Sequence, residues 1–418
     1  MTTERPALGW SELTGKRVGL WGLGREGHAN LRKLRSLGVE PVLVDDQPAG
    51  DDAEVLATDD GGLDRLLACD VVVKTPGISR YRPDAGRLRE AGVTLAGGLA
   101  LWLAEADLGR VVVVTGTKGK STTSSIIGHL LAGLGQRAAV GGNIGVSPYD
   151  PELAADPPGY WVIEVSSYQA TDLAVTPPVA ALTSLHPDHL PWHGGVEQYY
   201  RDKLSALSQP GAGLTVANGD SDLIRERFPL LGPRVEWVRE TDDPGATWMA
   251  PLGLPGPHNR RNALIARAVL RGLGIDGAGD DARMRLAAEG YEGLPSRLKQ
   301  IGVVAGVRFV DDSLSTNVLA ALAALEAFPG RRVALIVGGQ DRGIDYTELA
   351  EGVGAREAAT SVLVIPDSGP RIRRAFETTS PGAAVVECPG LGAAVKAAFE
   401  WARPDGIVLL SPAAPSFG

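Results

Sequence analysis

The sequence predicts an α/β protein of three domains: a Rossmann-like N-terminal domain, a central parallel sheet of the P-loop ATPase kind, and a Rossmann-like C-terminal domain. Three observations predict it. Short apolar strands alternate with helical stretches from end to end, the pattern of parallel sheets. The valine run Val111–Val114 empties directly into Thr115-Gly116-Thr117-Lys118-Gly119-Lys120-Ser121, a strand feeding a phosphate loop. At 418 residues the chain is too long for one core. Boundaries are expected at 1–108, 109–299 and 300–418.

The first unit opens with a strand over Arg17–Gly22, the turn Gly22-Leu-Gly-Arg-Glu-Gly27, a helix through Leu34, and a strand over Pro41–Val44 ending on Asp45-Asp46. Glycines for a tight turn, a helix N-terminus for phosphate and an acid after the second strand suit a nucleotide. Such a glycine pattern standing alone is weak, and by itself it leaves a nicotinamide-dependent dehydrogenase open. Asp70–Lys74 is the next strand, with the turn Thr75-Pro76-Gly77-Ile78 at its ligand-facing end.

In the second unit Gly116 to Thr122 are expected to surround a polyphosphate with backbone N–H groups. Lys120 would neutralise the β/γ-phosphates, and Ser121 or Thr122 would reach Mg²⁺. Val114 stands where the longer phosphate-loop pattern has a glycine, so this is a shortened variant. A helix over Ile126–Leu134 follows. Tyr160–Val165 and Val179–Ser184 are buried strands whose ends carry Glu164-Val-Ser-Ser167 and His186-Pro-Asp-His189. Gly211–Pro257 reads as loops and short strands, and Pro257–Asn262 opens a helix over Ala263–Leu273. The third unit places a single strand over Val303–Val310, a helix over Leu319–Ala327, and strands over Val333–Val337, Ser361–Ile365 and Gly406–Leu410. Parallel pairing is expected throughout.

Bulk properties exclude several classes. The chain is 44% hydrophobic and 22% charged, with no apolar run near the roughly 20 residues of a membrane helix. Met1–Trp10 lacks a signal-peptide pattern, and Cys69 and Cys388 stand alone, so a reducing cytoplasm is expected. The net charge of −9 opposes a nucleic-acid partner held by bulk electrostatics. Small-molecule substrates, no membrane and a monomer are expected.

The chemistry-bearing residues cluster. Glu164, His186, Asp188, His189 and His193 fall at neighbouring strand ends, with Lys203 on the next helix. Glu164 with His189 suits a divalent cation beside a triphosphate, and oxygen-loving Mg²⁺ fits better than zinc without thiolates. His186 and His193, taken singly, read as helix-capping or hydrogen-bonding residues. Lys203 on an amphipathic helix reads from sequence alone as a solvated charge. Arg297, after the turn Gly293-Leu-Pro-Ser296, can clamp a phosphoryl group or pair with a carboxylate. Asp311-Asp312-Ser313, Ser315-Thr316-Asn317 and Gly338–Gly343 with Asp341 and Arg342 put three loops on one sheet edge.

In order, these words resemble the Mur ligases, ATP-dependent amino-acid-adding enzymes of peptidoglycan synthesis. The matching words are TGTKGKST (Thr115–Thr122), GGNIG (Gly141–Gly145), EVSSYQ (Glu164–Gln169) and PDHLPWHG (Pro187–Gly194). The Lys203 helix, GPHNRRN (Gly256–Asn262), GLPSRL (Gly293–Leu298), DDSLSTN (Asp311–Asn317), GGQDRG (Gly338–Gly343) and LLSPAAPSFG (Leu409–Gly418) follow, covering essentially the whole chain. The short front domain with GLGREG points to the MurD-type, glutamate-adding branch.

The resemblance implies roles. Gly22 and Gly24 of the first loop, Asp45, and Thr75-Pro76-Gly77 would hold the uridine diphosphate of UDP-N-acetylmuramoyl-L-alanine, and Asn143 the muramoyl part. Ser121, Glu164, His189 and a carbamylated Lys203 would ligate Mg²⁺. ATP would fall to Gly116–Thr122, Asn259, Arg297 and Asp312, with Lys120, Lys203, His189 and Arg297 catalytic. Ser315, Thr316, Arg342 and Ser416 would face substrate in a glutamate-binding, closing C-terminal domain. Enzymes of this branch that add D-glutamate carry a lysine where Leu314 stands, an asparagine for Lys118, and a different word for Ser411–Ser416. These departures imply L-glutamate and a separate epimerase as pathway partner. The family continues past Gly418 with a helix that closes on glutamate, implying a shortened chain or a lost closing contact. A folylpolyglutamate-synthetase-like ligase, which normally lacks the front domain, and a non-catalytic nucleotide-binding regulator stay open.

Overall fold

The computed structural model describes Arg5 and residues 7–48, 54–153 and 157–415. They form two compact units, one from Met1–Trp248 with Arg261–Glu289, the other from Met249–Arg260 with Gly290–Gly418.

The first unit holds two parallel sheets. The front one contains β1 (Val18–Trp21), β2 (Val42–Asp45), β3 (Val55–Ala57), β4 (Val71–Lys74) and β5 (Thr94–Gly97), in the order β3-β2-β1-β4-β5. β1 and β4 are buried at every position, as strands covered on both faces must be. Alternate residues serve opposite cores: Leu20 and Val73 pack with Trp10 and Leu34, whereas Trp21 and Val72 pack with Leu66 and Leu88. The strand order reverses between β1 and β4, which opens a crevice at their C-terminal ends, where Gly22–Gly24 and Thr75–Ile78 lie.

The second sheet contains β6 (Val111–Thr115), β7 (Ala138–Gly142), β8 (Tyr160–Glu164), β9 (Val179–Leu182), β10 (Leu214–Asn218) and β11 (Arg234–Val238). Its order is β11-β10-β9-β6-β8-β7. The interval read as loops and short strands thus supplies two full parallel strands, Leu214–Asn218 paired along its length with Arg234–Val238. β6 lies between β8 and β9, so the phosphate loop, the Glu164 segment and the Thr183–His189 segment share one sheet edge. The helix after the loop begins at Lys120 rather than at the first apolar residue, Ile126.

The second unit holds β12 (Lys299–Val304), β13 (Val307–Asp311), β14 (Val333–Val337), β15 (Thr360–Val364), β16 (Ala384–Glu387) and β17 (Ile407–Leu410), in the order β12-β13-β17-β14-β15-β16. The single strand expected over Val303–Val310 is instead the end of one strand, a turn and most of the next strand of an antiparallel hairpin. Ala305 (φ 47°) and Gly306 (φ 84°) make a two-residue turn with both dihedrals positive, the turn that matches strand twist. Parallel pairing therefore fails at β12 and holds for the other five strands. No helix among the described residues is long and apolar enough to cross a membrane.

Candidate active site

The phosphate loop is shaped by two glycines and braced from β9. Gly116 has φ 146°, and a Cβ there would lie 2.2 Å from Thr183 Oγ1; Gly119 has φ 82° and caps the helix Lys120–Gly133. Thr117 N–H donates to Ser184 O at 2.9 Å, and Lys118 N–H to Ser184 Oγ at 2.7 Å. Thr183 Oγ1 donates to Lys118 O at 2.5 Å. Lys120 Nζ reaches back to Thr117 O at 3.1 Å, and Ser121 is buried in the first helical turn beside a more open Thr122. Sequence reading missed Thr183 and Ser184, which follow β9, far along the chain from the loop, and carry no motif of their own.

Glu164 ends β8 at 1% exposure. Its Oε1 accepts from Asn143 Nδ2 at 2.7 Å, while Oε2 is buried with no hydrogen-bond partner. A desolvated carboxylate oxygen left in that state calls for a cation. Lys203 is 2% exposed, which corrects the solvated reading. Its helix, Val196–Leu204, turns Tyr199, Lys203 and Leu204 inward, and Nζ donates to Gly116 O at 3.0 Å. Burial, with Lys120 and Lys118 close by, holds the Lys203 amine well below the usual lysine range. His189 caps the short helix Leu190–His193 at φ 51° and lies against Tyr168, with ring centroids 5.0 Å apart. Its partial burial lowers its pKa and favours the neutral imidazole, the form that ligates metals. Among the described residues no three His, Cys, Asp or Glu side chains converge as a metal cluster. The donor set fits a cation that takes further oxygens from a phosphate. His193 is the hydrogen-bonding residue its sequence context suggested, with Nδ1 2.7 Å from Asp202 Oδ2 and Nε2 3.0 Å from Ser167 Oγ. His186 meets the phosphate loop through its backbone, its N–H donating to Thr117 Oγ1 at 2.9 Å.

At the front sheet Gly22 (φ 96°) lies so close to Thr75 that a Cβ would meet its Oγ1 at 2.1 Å, and one on Gly27 would meet Gly22 O at 2.1 Å. Gly24 faces open space, leaving the helix N-terminus accessible to an anion. Asp45 braces this loop, accepting from Leu23 N–H at 2.6 Å and from Gln47 N–H at 2.9 Å. Thr75 N–H donates to Trp21 O at 2.9 Å, Pro76 is half-buried, and Gly77 O accepts from Trp192 Nε1 at 3.1 Å. Behind these loops Lys74 Nζ, fully buried, meets Asp172 Oδ2 at 2.7 Å. That pair was not legible as a site, since its members are 98 residues apart.

In the second unit the turn around Arg297 is held by Asp311, the last residue of β13, and by Asp312 just after it. Ser296 Oγ donates to Asp311 Oδ2 at 2.9 Å, and Leu298 N–H to Asp312 Oδ1 at 3.1 Å. Ser296 (φ 56°) and Leu298 (φ 54°) flank Arg297 in the left-handed region, a locally strained turn at a candidate site. Ser411 Oγ donates to Asp312 Oδ2 at 2.8 Å, and burial pushes the Asp312 carboxyl up to about 6. Asn259 Nδ2 donates to Pro255 O at 2.8 Å. Asn317 caps the helix Val318–Glu326, with Ser315 buried and Thr316 half-buried just before it, and Leu314 is 53% exposed. Arg342 donates to Gln340 Oε1, and Asp341 pairs with Arg371 at 3.0 Å. Ser416 lies outside the described residues.

Comparison with known proteins gives two family matches: the Mur ligase middle domain at residues 114–235, and the Mur ligase, glutamate ligase domain at residues 296–414. The UDP-N-acetylmuramoyl-L-alanine--L-glutamate ligase of Salinispora tropica is 40% identical, over 98% of this chain and 95% of its own. Its namesake from Xanthomonas euvesicatoria is 37% identical over 98% and 92%. The chain belongs to the Mur ligase family. Mur ligases are ATP-dependent ligases, and the middle-domain match contains the phosphate loop, Glu164, His189 and Lys203, whereas the second contains Arg297, Asp312, Ser315, Thr316 and Arg342. The front-sheet loops and Asn259 fall outside both. Solved Mur ligases share the fold: MurF from Thermotoga maritima in complex with ADP at TM-score 0.58, 17% identity and 98% and 94% coverage, and MurC from the same organism at 0.57, 18%, and 96% of both chains. A folylpolyglutamate synthase from Mycobacterium tuberculosis, at TM-score 0.53 and 16% identity, covers 76% of this chain and 92% of its own.

Proposed function

We propose that this Mur ligase joins glutamate, in its L form, to UDP-N-acetylmuramoyl-L-alanine at the expense of ATP, in peptidoglycan precursor synthesis. The observation that carries the reading is the shared edge of β6, β8 and β9, where a phosphate loop, a carboxylate with an orphaned oxygen and a desolvated lysine lie together. We assign three domains with boundaries near residues 108 and 299.

The front loops Gly22–Gly24 and Thr75–Gly77, with Asp45, hold the uridine diphosphate, and Asn143 orients the muramoyl chain toward Glu164. Gly116–Thr122 cradle the triphosphate. In the second unit Asn259, Arg297 and Asp312 are assigned to the nucleotide, and Ser315, Thr316, Arg342 and Ser416 to the incoming amino acid. Ser121, Glu164 and His189 would hold Mg²⁺ together with Lys203 in its carbamylated form; the ion, when bound, screens phosphate charge. An amine kept neutral by burial is the form that adds carbon dioxide, which supports that modification. A ¹³C-carbamate resonance that persists in Lys203→Arg would count against it.

The reaction follows from charge placement. The substrate carboxylate attacks the γ-phosphorus as the bond to the β-phosphate oxygen breaks, giving an acyl phosphate and ADP. The glutamate amine then attacks the carbonyl carbon, loses a proton, and inorganic phosphate leaves from the tetrahedral intermediate. Lys120 and Arg297 stabilise the charge that develops on the transferring group, and the loops supply alignment.

The L form is supported by Leu314, Lys118 and Ser411–Ser416, which depart from the D-adding pattern, and by the names of the relatives at 36–40% identity. Removing a lysine near the incoming carboxylates is the change that a switched stereocentre requires. Against a folylpolyglutamate-type ligase stands the front sheet with its two loops. The test is product analysis with each enantiomer of labelled glutamate: label from L-glutamate in the UDP-linked product is expected, and label from D-glutamate alone would reverse the stereochemical assignment.

A further inference from the structure

Ser167, His193 and Asp202 form a chain of hydrogen bonds that the reaction itself does not use. His193 Nε2 lies 3.0 Å from Ser167 Oγ, and Nδ1 lies 2.7 Å from Asp202 Oδ2. A carboxylate only accepts, so Nδ1 carries the hydrogen of the second bond. The other oxygen of Asp202 accepts from the Tyr81 hydroxyl at 2.5 Å and from Gln198 Nε2 at 2.8 Å. Serine, imidazole and aspartate at such distances are also the arrangement of a nucleophile, its base and its orienter. Here the three are 3, 2 and 3% exposed, so no substrate reaches the hydroxyl. The chain braces rather than attacks.

What it braces follows from where its members stand. Ser167 opens the helix Ser167–Ala170, shortly after Glu164 ends β8. His193 ends the helix Leu190–His193, which His189 caps, and Asp202 immediately precedes Lys203 on the helix Val196–Leu204. Glu164, His189 and Lys203 thus each have one member of the chain on their own segment. The His189 segment depends on side chains for its place, because its helix spans only four residues and φ is positive at His189, Gly194 and Gly195. Thr117 Oγ1 holds its start through His186 N–H at 2.9 Å, and Ser79 Oγ donates to Trp192 O at 3.0 Å. His193 anchors its end. Tyr168, beside Ser167, stacks on Trp192 with ring centroids 4.4 Å apart and also meets His189. A shift at Ser167 is therefore passed to the His189 ring.

We propose that Asp202 is a positioning residue for the cation site, acting through His193 and Ser167 to hold the segments of Glu164, His189 and Lys203 in one arrangement. This rests on the cation site proposed above. Groups behind the ligands of a metal fix their orientation, and losing one typically weakens metal binding by about 10- to 100-fold. Asp202→Asn keeps the shape of the side chain but offers the imidazole N–H a neutral, weaker acceptor. Ser167→Ala removes the far end of the chain and leaves the carboxylate in place. A buried polar chain with one member lost is held less firmly than its separate bonds suggest.

The experiment is titration of the full chain with Mn²⁺ in bicarbonate buffer without nucleotide, the free ion being followed by electron paramagnetic resonance. Denaturant unfolding of each variant runs alongside. Expected is a Kd for Mn²⁺ that rises about tenfold or more in both Asp202→Asn and Ser167→Ala. Thr176→Val is the control for a purely structural loss. Thr176 is 1% exposed, donates to Ala206 O at 3.0 Å and accepts from Gln209 N–H at 3.0 Å. It precedes β9, at the end of the sheet away from the phosphate loop. This variant is expected to lower the unfolding midpoint while its Mn²⁺ affinity stays within about twofold of the wild type. Unchanged Mn²⁺ affinity in Asp202→Asn overturns the inference, even where the unfolding midpoint falls. Equal weakening in Thr176→Val overturns it too, since affinity would then follow stability. Absence of Mn²⁺ binding by the wild-type protein overturns the cation-site reading together with it.

Discussion

Lys120 Nζ rests on Thr117 O at 3.1 Å, a neutral acceptor that phosphate oxygens readily replace with stronger, charge-assisted bonds. Lys120→Ala is accordingly expected to lower ATP-dependent phosphate release by roughly 10²-fold or more while the fold persists, as checked by circular dichroism. Activity within a factor of two would remove the lysine from the mechanism. Asp312 offers a pH test of burial. Its folded pKa, about 6, lies above the ordinary 3.8, so the native state is penalised increasingly as pH rises from 4 to 6, and fully above that. Asp312→Asn should thus match the wild type in stability near pH 4 and gain about 2 kcal/mol over it by pH 7, read by denaturant titration. A constant difference across that range would show that Asp312 titrates normally. The placement of Lys120, Glu164 and Asp312 at or just after the C-terminal ends of β6, β8 and β13 was legible because each follows an apolar strand run, whereas Arg297 lies before β12. The burial of Lys203 was hidden, since an amphipathic pattern does not say which of two faces carrying polar groups turns inward.

At the level of elements, the hairpin β12–β13 depends on Gly306, whose φ is 84° and whose absent Cβ would lie 2.3 Å from Pro404 O. Gly306→Ala should cost roughly 1–3 kcal/mol, whereas Gly302→Ala, at a position with nothing within 4 Å, should stay within about 0.5 kcal/mol. Equal costs would mean that the turn is not set by backbone geometry. The same pair of residues, Ala305-Gly306, explains why one strand was read in place of two strands and a turn: apolar residues run through both arms, and one glycine in such a run looks like a bulge. The strands Leu214–Asn218 and Arg234–Val238 were masked by the Gly/Pro-rich segments around them, which dilute a five-residue signal. Val333–Val337, a continuous apolar run, was legible to the residue.

On the scale of the whole molecule, three sheets were foreseeable from repeated strand–helix alternation, whereas the polar seam behind the front loops was not. Lys74 and Asp172 are buried together, with Arg80 3.8 Å from the same carboxylate. Removing one member of such a pair strands the other in a poor solvent. Lys74→Met should destabilise the unit that contains it by about 2–4 kcal/mol and leave the stability of the other unit unchanged, as resolved by differential scanning calorimetry. A shift below about 0.5 kcal/mol would show that Arg80 satisfies Asp172 unaided. The assignment of the molecule as an L-glutamate-adding ligase is tested most directly by phosphate release with ATP, Mg²⁺ and UDP-N-acetylmuramoyl-L-alanine, comparing L-glutamate, D-glutamate and no amino acid. Stimulation by L-glutamate alone is the predicted result; stimulation by D-glutamate alone, or release indifferent to either, would contradict it.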